Sequence, residues 1–485
     1  MSEFYTDWGF TESPFNTEAL EATAEGEKIL VGREREITKL GKRLGSKKIT
    51  VVEGPNGIGK TSLINVALFK GFKDFDSISR ENRIVLPCKT PFQLEADSNI
   101  GNFQTKVFYE IAQTMIGFEE RISKVKGSAP DTRKVDKWLN ASAYETFRGS
   151  LKAVVAGWGL GAGAGKGTIP NLSQGFANSG FEQSIREWLN STFQNTFGGI
   201  VCVIDNLELL ETSEKARKLL GQLRDPLLAQ TGLRWVFSGS KGITYSYIDS
   251  TRLTGYFHDP LVLGKIELNI APKRILDARV EAYKSTETPY LPFVSDDFVR
   301  LFHIFRGNIR ALLHHVDSYC YYIEEEMHQE IHPSTEEEKG ETFKTWLKDK
   351  CHKVYMEIKA QVKPTAWKIF VDAVEFGGSF SPSDYERFEF KSIQAMRPHI
   401  KDLESVGLLQ LSQDDTDKRR KTGNVTPKGW LVSIVDQNDF MDKQSSLTMT
   451  DLWNPDWERA NITEEIIDPS ELEEIIDPKS IEDLE

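Results

Sequence analysis

The sequence predicts an α/β fold in four parts: a parallel-sheet domain, a helical unit, a small unit with the element order of a winged helix, and a disordered acidic tail. Three observations carry this. Short apolar runs alternate with amphipathic helical stretches as far as Pro272, and from there the pattern is helical. From Lys363 to about Val435 the order becomes three short helices, strand, polar loop, strand.

In chain order, Trp8-Gly9-Phe10 and Pro14-Phe15 form an aromatic segment without an element of its own, expected to pack on the sheet domain from within residues 1–30. The sheet domain is assigned to residues 31–272. Val31-Gly32-Arg33-Glu34 leads into a charged helix, and Ile49 to Val52 reads as a buried strand. Further strands are expected at Arg83 to Leu86, Gly199 to Asp205 and Leu233 to Ser238, with helices at 103–117, 181–193 and around 214–227. Residues 119–180, basic and then glycine-rich, read as an insertion. The helical lid, residues 273–350, has helices at 273–284, from a Ser295-Asp296-Asp297 cap to Phe305, and at 308–328. The winged helix is assigned to 351–437 and the tail to 438–485.

The run Gly54-Pro55-Asn56-Gly57-Ile58-Gly59-Lys60-Thr61 stands between a strand and a helix opened by Ser62. Glycines let the backbone turn tightly and aim successive N–H groups at phosphate oxygens. The positive helix end, Lys60 and a Mg²⁺ held by Thr61 balance the remaining charge. This is the loop of a P-loop NTPase, and ATP with Mg²⁺ is the expected cofactor. A second run, Gly161 to Thr168, is followed at once by Pro170, so no helix can present its N-terminus there, and it reads as a loop.

A parallel sheet places its ligand at the carboxyl ends of its strands, so Asp205, ending an apolar strand, is expected at the Mg²⁺. Asn206 follows where a water-activating acid is expected; it can orient water but cannot take its proton. Glu208 is the nearest acid, with a solvated side chain as the alternative. The residues therefore speak more directly for nucleotide binding than for hydrolysis. Ser238 and Ser240, at another strand end, are candidates to sense the γ-phosphate or to form a turn. Arg310, near a helix start, can close over the phosphates. Arg252 reads either as an arginine offered to a neighbouring subunit, which leaves a homo-oligomer open, or as a surface residue.

Composition bounds the remaining choices. With 485 residues and 39% hydrophobic content the chain has material for two to four domains. No apolar stretch reaches bilayer-spanning length and the start lacks a secretory leader, so the expectation is a cytoplasmic protein without membrane contact. Cys88, Cys202, Cys320 and Cys351 are widely spaced and read as reduced core residues. His328 and His332 lack the spacing of a zinc-protease helix and have no third ligand. Residues 464–485 hold ten acids and one lysine, supplying −9 of the net −13. The tail repeats Glu-Glu-Ile-Ile-Asp-Pro at 464 and 473, a pattern suited to docking on a basic protein surface or merely to solubility. Lys391, Arg397, His399 and Lys401, with Lys418 to Lys421, would let the winged helix touch duplex DNA; Asp414, Asp415, Asp417 and Pro398 oppose that.

The ordered set of Trp8-Gly9-Phe10, Val31-Gly32-Arg33-Glu34, the phosphate loop, Ile204-Asp205, the Ser238 strand and Gly307-Asn308-Ile309-Arg310 resembles the initiator-like branch of AAA+ ATPases and the related STAND ATPases. The resemblance covers about residues 8–435. It implies that Val31 and Gly32 lie beside the adenine, Ser238 or Ser240 in a first sensor and Arg310 in a second. Asn206 and Ile309 depart from the family pattern. Three functions are consistent with it: an ATP-driven switch acting on a partner, a DNA-binding initiator or transposition-type regulator, and a prokaryotic defence ATPase working with an effector protein.

Overall fold

The computed structural model describes residues 4–77, 83–126, 181–210, 213–240, 253–264, 266, 271–327, 332–413 and 421–441. The second glycine-rich run, Arg252, residues 414–420 and the acidic repeats lie outside them. By its contacts the chain divides into Met1–Ser433 and Ile434–Glu485, and the architecture below is that of the first unit.

Six parallel strands form one sheet: β1 (Thr50–Glu53), β2 (Arg83–Pro87), β3 (Phe92–Gln93), β4 (Phe197–Asp205), β5 (Leu233–Gly239) and β6 (Leu261–Val262). The order across the sheet is β2-β4-β5-β1-β6, with β3 also on β4. Both faces are covered, which is why these strands read as continuous apolar runs. Successive side chains point to opposite faces. Val51, Leu86, Ile200, Cys202, Ile204, Trp235 and Phe237 share one core with the helices Ile100–Gly117, Phe181–Phe193 and Ser213–Leu223. Val52, Val85, Val201, Val203 and Val236 face the helices Glu34–Arg43 and Lys60–Ser77.

The helix Glu119–Lys126, at the start of the segment read as an insertion, packs on this domain. Ile122 is buried, and Arg121 lies 3.5 Å over the Phe72 ring while its Nη2 donates to the Phe72 carbonyl.

Helices Ala271–Tyr283, Ser295–Ile304 and Ile309–Glu326 follow. The second does not use Ser295 as its cap. Val294 holds that place, and Asp297 in the first turn accepts from the Val294 amide. The aromatic N-terminus packs on these helices rather than on the sheet. Tyr5 Oη donates to Asp317 at 2.6 Å, the Thr11 amide donates to the Tyr283 carbonyl, and Trp8 meets Tyr290 edge to face. Aromatic rings with one polar edge find both an apolar face and hydrogen-bond partners there.

Helix Glu336–Lys359 begins at a Thr335–Glu338 capping box and continues without a break, so a boundary at 350 would cut one element. Beyond it the order is helix Pro364–Glu375, β7 (Ser379–Phe380), a 3₁₀ stretch Pro382–Phe388, helix Ile393–Ser405, β8 (Leu409–Gln413), β9 (Lys421–Val425) and helix Pro427–Met441. The three strands form an antiparallel sheet in the order β7-β9-β8. The second strand of that expected order ends at Val425. Pro427, with its fixed φ, opens a helix instead. The four cysteines are buried and free, and no described helix is long and apolar enough to cross a membrane.

Candidate functional site

At the carboxyl end of β1 the chain turns through Gly54 to Gly59 into the helix Lys60–Ser77. Gly57 and Gly59 take φ values of +80° and +96°, which residues with a Cβ adopt only at a cost. At Gly57 space is lacking as well: a Cβ would stand 2.4 Å from Asn308 Oδ1. Lys60 Nζ donates to the carbonyls of Gly54 at 2.9 Å and Pro55 at 3.2 Å, which holds the ammonium over the loop.

Asp205 closes β4 beside this helix. Thr61 Oγ1 donates to Asp205 Oδ2 at 3.1 Å, and the Asn206 amide donates to Oδ1 at 3.0 Å. Asn206 has a left-handed φ of +57°, a conformation Asn tolerates better than most residues, and this turn aims its amide back at the carboxylate. Residues 144 positions apart thus form a hydroxyl–carboxylate pair next to a helix N-terminus and a lysine. Such a donor set fits phosphate oxygens together with a hard divalent cation.

The helical unit completes the cleft. Asn308 caps the helix Ile309–Glu326 through Oδ1, which accepts from the Ala311 amide. Its Nδ2 donates to the Asn56 carbonyl at 3.0 Å, and the Arg310 amide donates to the Gly57 carbonyl at 3.2 Å. Arg310 lines the cleft and is otherwise exposed.

Of the residues expected from sequence, Val31, Asn56, Gly57, Ile58, Gly59, Lys60, Thr61, Ser62, Asp205, Asn206 and Arg310 line one cleft. Gly54 and Pro55 contribute carbonyls to Lys60. Gly32, with φ +76°, sits just behind the wall: a Cβ on it would meet Ile266 at 2.9 Å. Arg33 lines the cleft from a buried position, with Nη2 donating to the Gly264 carbonyl and Nη1 paired with Glu36.

Ser238 and Ser240 do not line the cleft. Alternation along β5 puts Ser238 on the same face as Val236, where it is fully buried and its Oγ has no partner among the described residues. Glu208 follows in the turn Leu207–Leu210, and Arg252 lies outside the described residues.

Sequence reasoning missed further residues of the lining: Thr17, Glu18, Ala19 and Leu20, the apolar side chains of Ile29, Leu30, Ile266, Ile275 and Leu313, and Arg279. The lining therefore combines the polar groups of the loop with apolar side chains. The isolated apolar residues among them show no motif, because they converge from five separate segments.

No protein-family model matches this chain, and no curated protein matches it. Similar solved structures exist at 12% sequence identity. The Aeropyrum pernix ORC2 protein in ADPNP–ADP complexes covers 88% of this chain and 98% of its own length, with a TM-score of 0.43. A Walker-type ATPase of Pyrococcus abyssi covers 86% and 99%, with a TM-score of 0.44. Cdc6p from Pyrobaculum aerophilum covers 88% and 98%, with a TM-score of 0.39. Over most of its length this chain is thus similar to origin-recognition and Cdc6 proteins and to a Walker-type ATPase, while the roles of its residues rest on the geometry above.

Proposed function

We propose that the chain is a Mg-ATP-binding molecular switch of the AAA+ type, which couples the state of its nucleotide to partner binding. The observation that supports this best is the meeting of three elements at one loop. The Thr61–Asp205 pair stands at 3.1 Å, Lys60 lies over the same turn, and Asn308 and Arg310 of the helical unit bond to its backbone. In this reading Lys60, Ser62 and the loop amides hold the triphosphate, Thr61 and Asp205 the Mg²⁺, and Arg310 closes from the lid. Val31 and the apolar side chains of the lining take the adenine. When bound, Mg²⁺ supplies charge neutralisation at the phosphates.

A lid bonded to the loop gives a ligand purchase on a conformational equilibrium, because binding energy differs between docked and undocked states. ATP at ~100 times its dissociation constant, binding one state alone, biases that equilibrium by about 2.7 kcal/mol. Hydrolysis is slow in this reading, since Asn206 cannot take a proton from water. Glu208 is the candidate base, and Arg252 remains a candidate contributor from a second copy. The C-terminal unit is read as a winged helix, and the acidic tail as a docking segment for a protein partner.

One observation favours a second reading, a DNA-binding initiator or regulator. Helix Ile393–Ser405 exposes Arg397 and Lys401, four residues apart and so on one face, while Pro398 is accommodated on its solvent side. Salt dependence separates the two readings: duplex affinity that falls steeply with salt supports the second, and no duplex binding with or without ATP removes it.

The primary test is equilibrium binding of ATP to the full chain. Lys60→Ala is expected to abolish it, and Asp205→Ala to remove the Mg²⁺ dependence of turnover. Saturable ATP binding that survives Lys60→Ala would sink the reading. Turnover that survives Glu208→Gln would remove only the assignment of the base.

A further inference from the structure

Residues 4–16 are fixed to the helical unit. Tyr5 and Ser13 both donate to Asp317, and Arg279 Nη1 donates to the carbonyls of Pro14 at 2.8 Å and Asn16 at 3.3 Å. Arg279 is 4% exposed, and a guanidinium buried that deeply holds its acceptors firmly, because losing them leaves it unsatisfied. The chain is next held at Leu20, and there by the sheet domain. The Leu20 amide donates to Ser62 Oγ at 3.1 Å, and its carbonyl accepts from Asn65 Nδ2 at 2.9 Å. Ser62 and Asn65 are three positions apart and so lie on one face of the helix Lys60–Ser77. Ala22, fully buried, then enters the core of the sheet domain.

Residues 17–19 therefore cross from the helical unit to the sheet domain, in no helix or strand of their own, and the Leu20 clamp sets their reach. An extended residue spans at most about 3.6 Å, so with Leu20 clamped the stretch from Asn16 to Leu20 allows about 14 Å. With Leu20 released, the stretch from Asn16 to Ala22 allows about 21 Å. Two side-chain bonds on one residue thus decide about 7 Å of travel between the helical unit and the phosphate loop. The clamp also communicates with the cleft, because Ser62 lines it next to Thr61. A serine hydroxyl accepts from one donor and still has its own hydrogen to donate. A phosphate oxygen that takes this hydrogen polarises the hydroxyl and makes it a better acceptor for the Leu20 amide, since hydrogen bonds in a chain reinforce one another.

We propose that residues 17–20 are a tie of adjustable length between the helical unit and the sheet domain, with Ser62 as its latch: phosphate groups in the loop fasten Leu20 and so restrict the lid. This rests on the nucleotide reading above and adds regulation to it. The latch answers to phosphate and not to the nucleoside. Asn65 is a positioning residue, which steadies Leu20 from further along the same helix without lining the cleft.

The test measures the distance between spin labels on Glu12→Cys, in the part fixed to the helical unit, and Lys39→Cys, on the helix Glu34–Arg43, in the full chain. Both positions are exposed, and the four native cysteines are buried. The probe is inorganic tripolyphosphate in Mg²⁺, which lacks a nucleoside, so contact of a base with residues 17–20 cannot mimic the result; calorimetry establishes that it binds. Saturating probe is expected to remove the long-distance side of the distribution, which reaches up to about 7 Å further without it. Asn65→Ala is expected to bind the probe and keep the broad distribution. Tyr5→Phe, which removes a bond on the other side of the tie, is expected to narrow as wild type does. In wild type the probe is also expected to slow hydrogen exchange of the Leu20 amide by about tenfold, the upper worth of one hydrogen bond, a readout that needs no variant to fold. Bound probe without narrowing or slowed exchange, or narrowing that survives Asn65→Ala, overturns the latch and leaves the nucleotide reading standing. A chain that binds neither tripolyphosphate nor ATP overturns the nucleotide reading, and the latch with it.

Discussion

Asn308 Nδ2 donates to the backbone carbonyl of Asn56 at 3.0 Å, joining the cap of a helix in the helical unit to the turn of the phosphate loop. The same side chain caps its own helix through Oδ1. One residue therefore caps its own helix and ties that helix to the loop, and the two contacts can be separated by substitution.

Asn308→Ser keeps a cap acceptor but is too short to reach Asn56. Helix stability is expected to change by less than about 0.5 kcal/mol, since Ser ranks with Asn at this position. ATP affinity is expected to fall by a factor of about three to ten, the worth of one hydrogen bond. Thermal unfolding and a nucleotide titration measured together check this. Unchanged ATP affinity would show that the contact does not couple lid to loop.

Two residues before Asn308, Arg306 lies 4.5 Å over the ring of Trp430 in the helix Pro427–Met441. Arg306 has a φ of +52°, so the turn carrying it is tightly specified. The turn Arg306-Gly307-Asn308 thus touches the glycine-rich loop at one end and Trp430 at the other. In wild type, ATP is expected to slow amide hydrogen exchange in residues 421–433, and Arg306→Ala to remove most of that protection while ATP still binds. Equal protection in the variant would dismiss the route through this stack. Arg306 is the residue to change because Trp430 also seals the C-terminal unit: a Cβ on Gly378, at φ +86°, would stand 2.2 Å from its ring.

The helical unit holds two titrating groups of opposite effect. His315 packs on Phe305 with centroids 4.6 Å apart, and its Nδ1–H donates to the Ala311 carbonyl; burial pulls its pKa down to about 4. The unfolded chain then binds the proton first, so stability from this residue is present above about 6.5 and is lost as pH falls toward 4. Burial raises Asp297 to about 6, against the lowering effect of Arg300. Its contribution is complete below about 3.8 and is lost as pH rises through 6. Each is worth up to about 3 kcal/mol, at 1.4 kcal/mol per pKa unit, and over pH 4 to 6 they offset. Asp297→Asn is expected to expose a loss of stability on acidification, and His315→Phe a loss on going from pH 4 to 6. Denaturant unfolding across that range checks both. Parallel pH profiles for the two variants would contradict the assignment.

The phosphate loop and its flanking strand and helix were legible because local rules decide them. Glycines at required φ values, an apolar strand and a lysine at fixed spacing act within eight residues. Asp205 was expected beside the loop from its place at the end of a buried parallel strand, and Thr61 bonds to it there. Ser238 obeyed the same strand-end rule and failed it, because the alternation of β5 turned its hydroxyl into the core instead of the cleft. Arg279 and the irregular stretch 17–20 left no trace in the pattern. Irregular backbone has no period, and a lone arginine on an amphipathic helix reads as solvated surface until its partners, more than 260 positions away, are in place.

By itself, then, the sequence determined the parallel-sheet class, the glycine-rich turn between β1 and its helix, and the acid at the end of β4, because each depends on backbone geometry set by near neighbours. Only the tertiary structure decided that Asn308 meets Asn56 across 252 positions, that residues 17–20 line the cleft, and that the aromatic N-terminus rests on the helices after Pro272. Those choices belong to packing. Each is a pairing of groups that have several acceptable partners locally, and the lowest free energy is selected only when the whole chain competes for them.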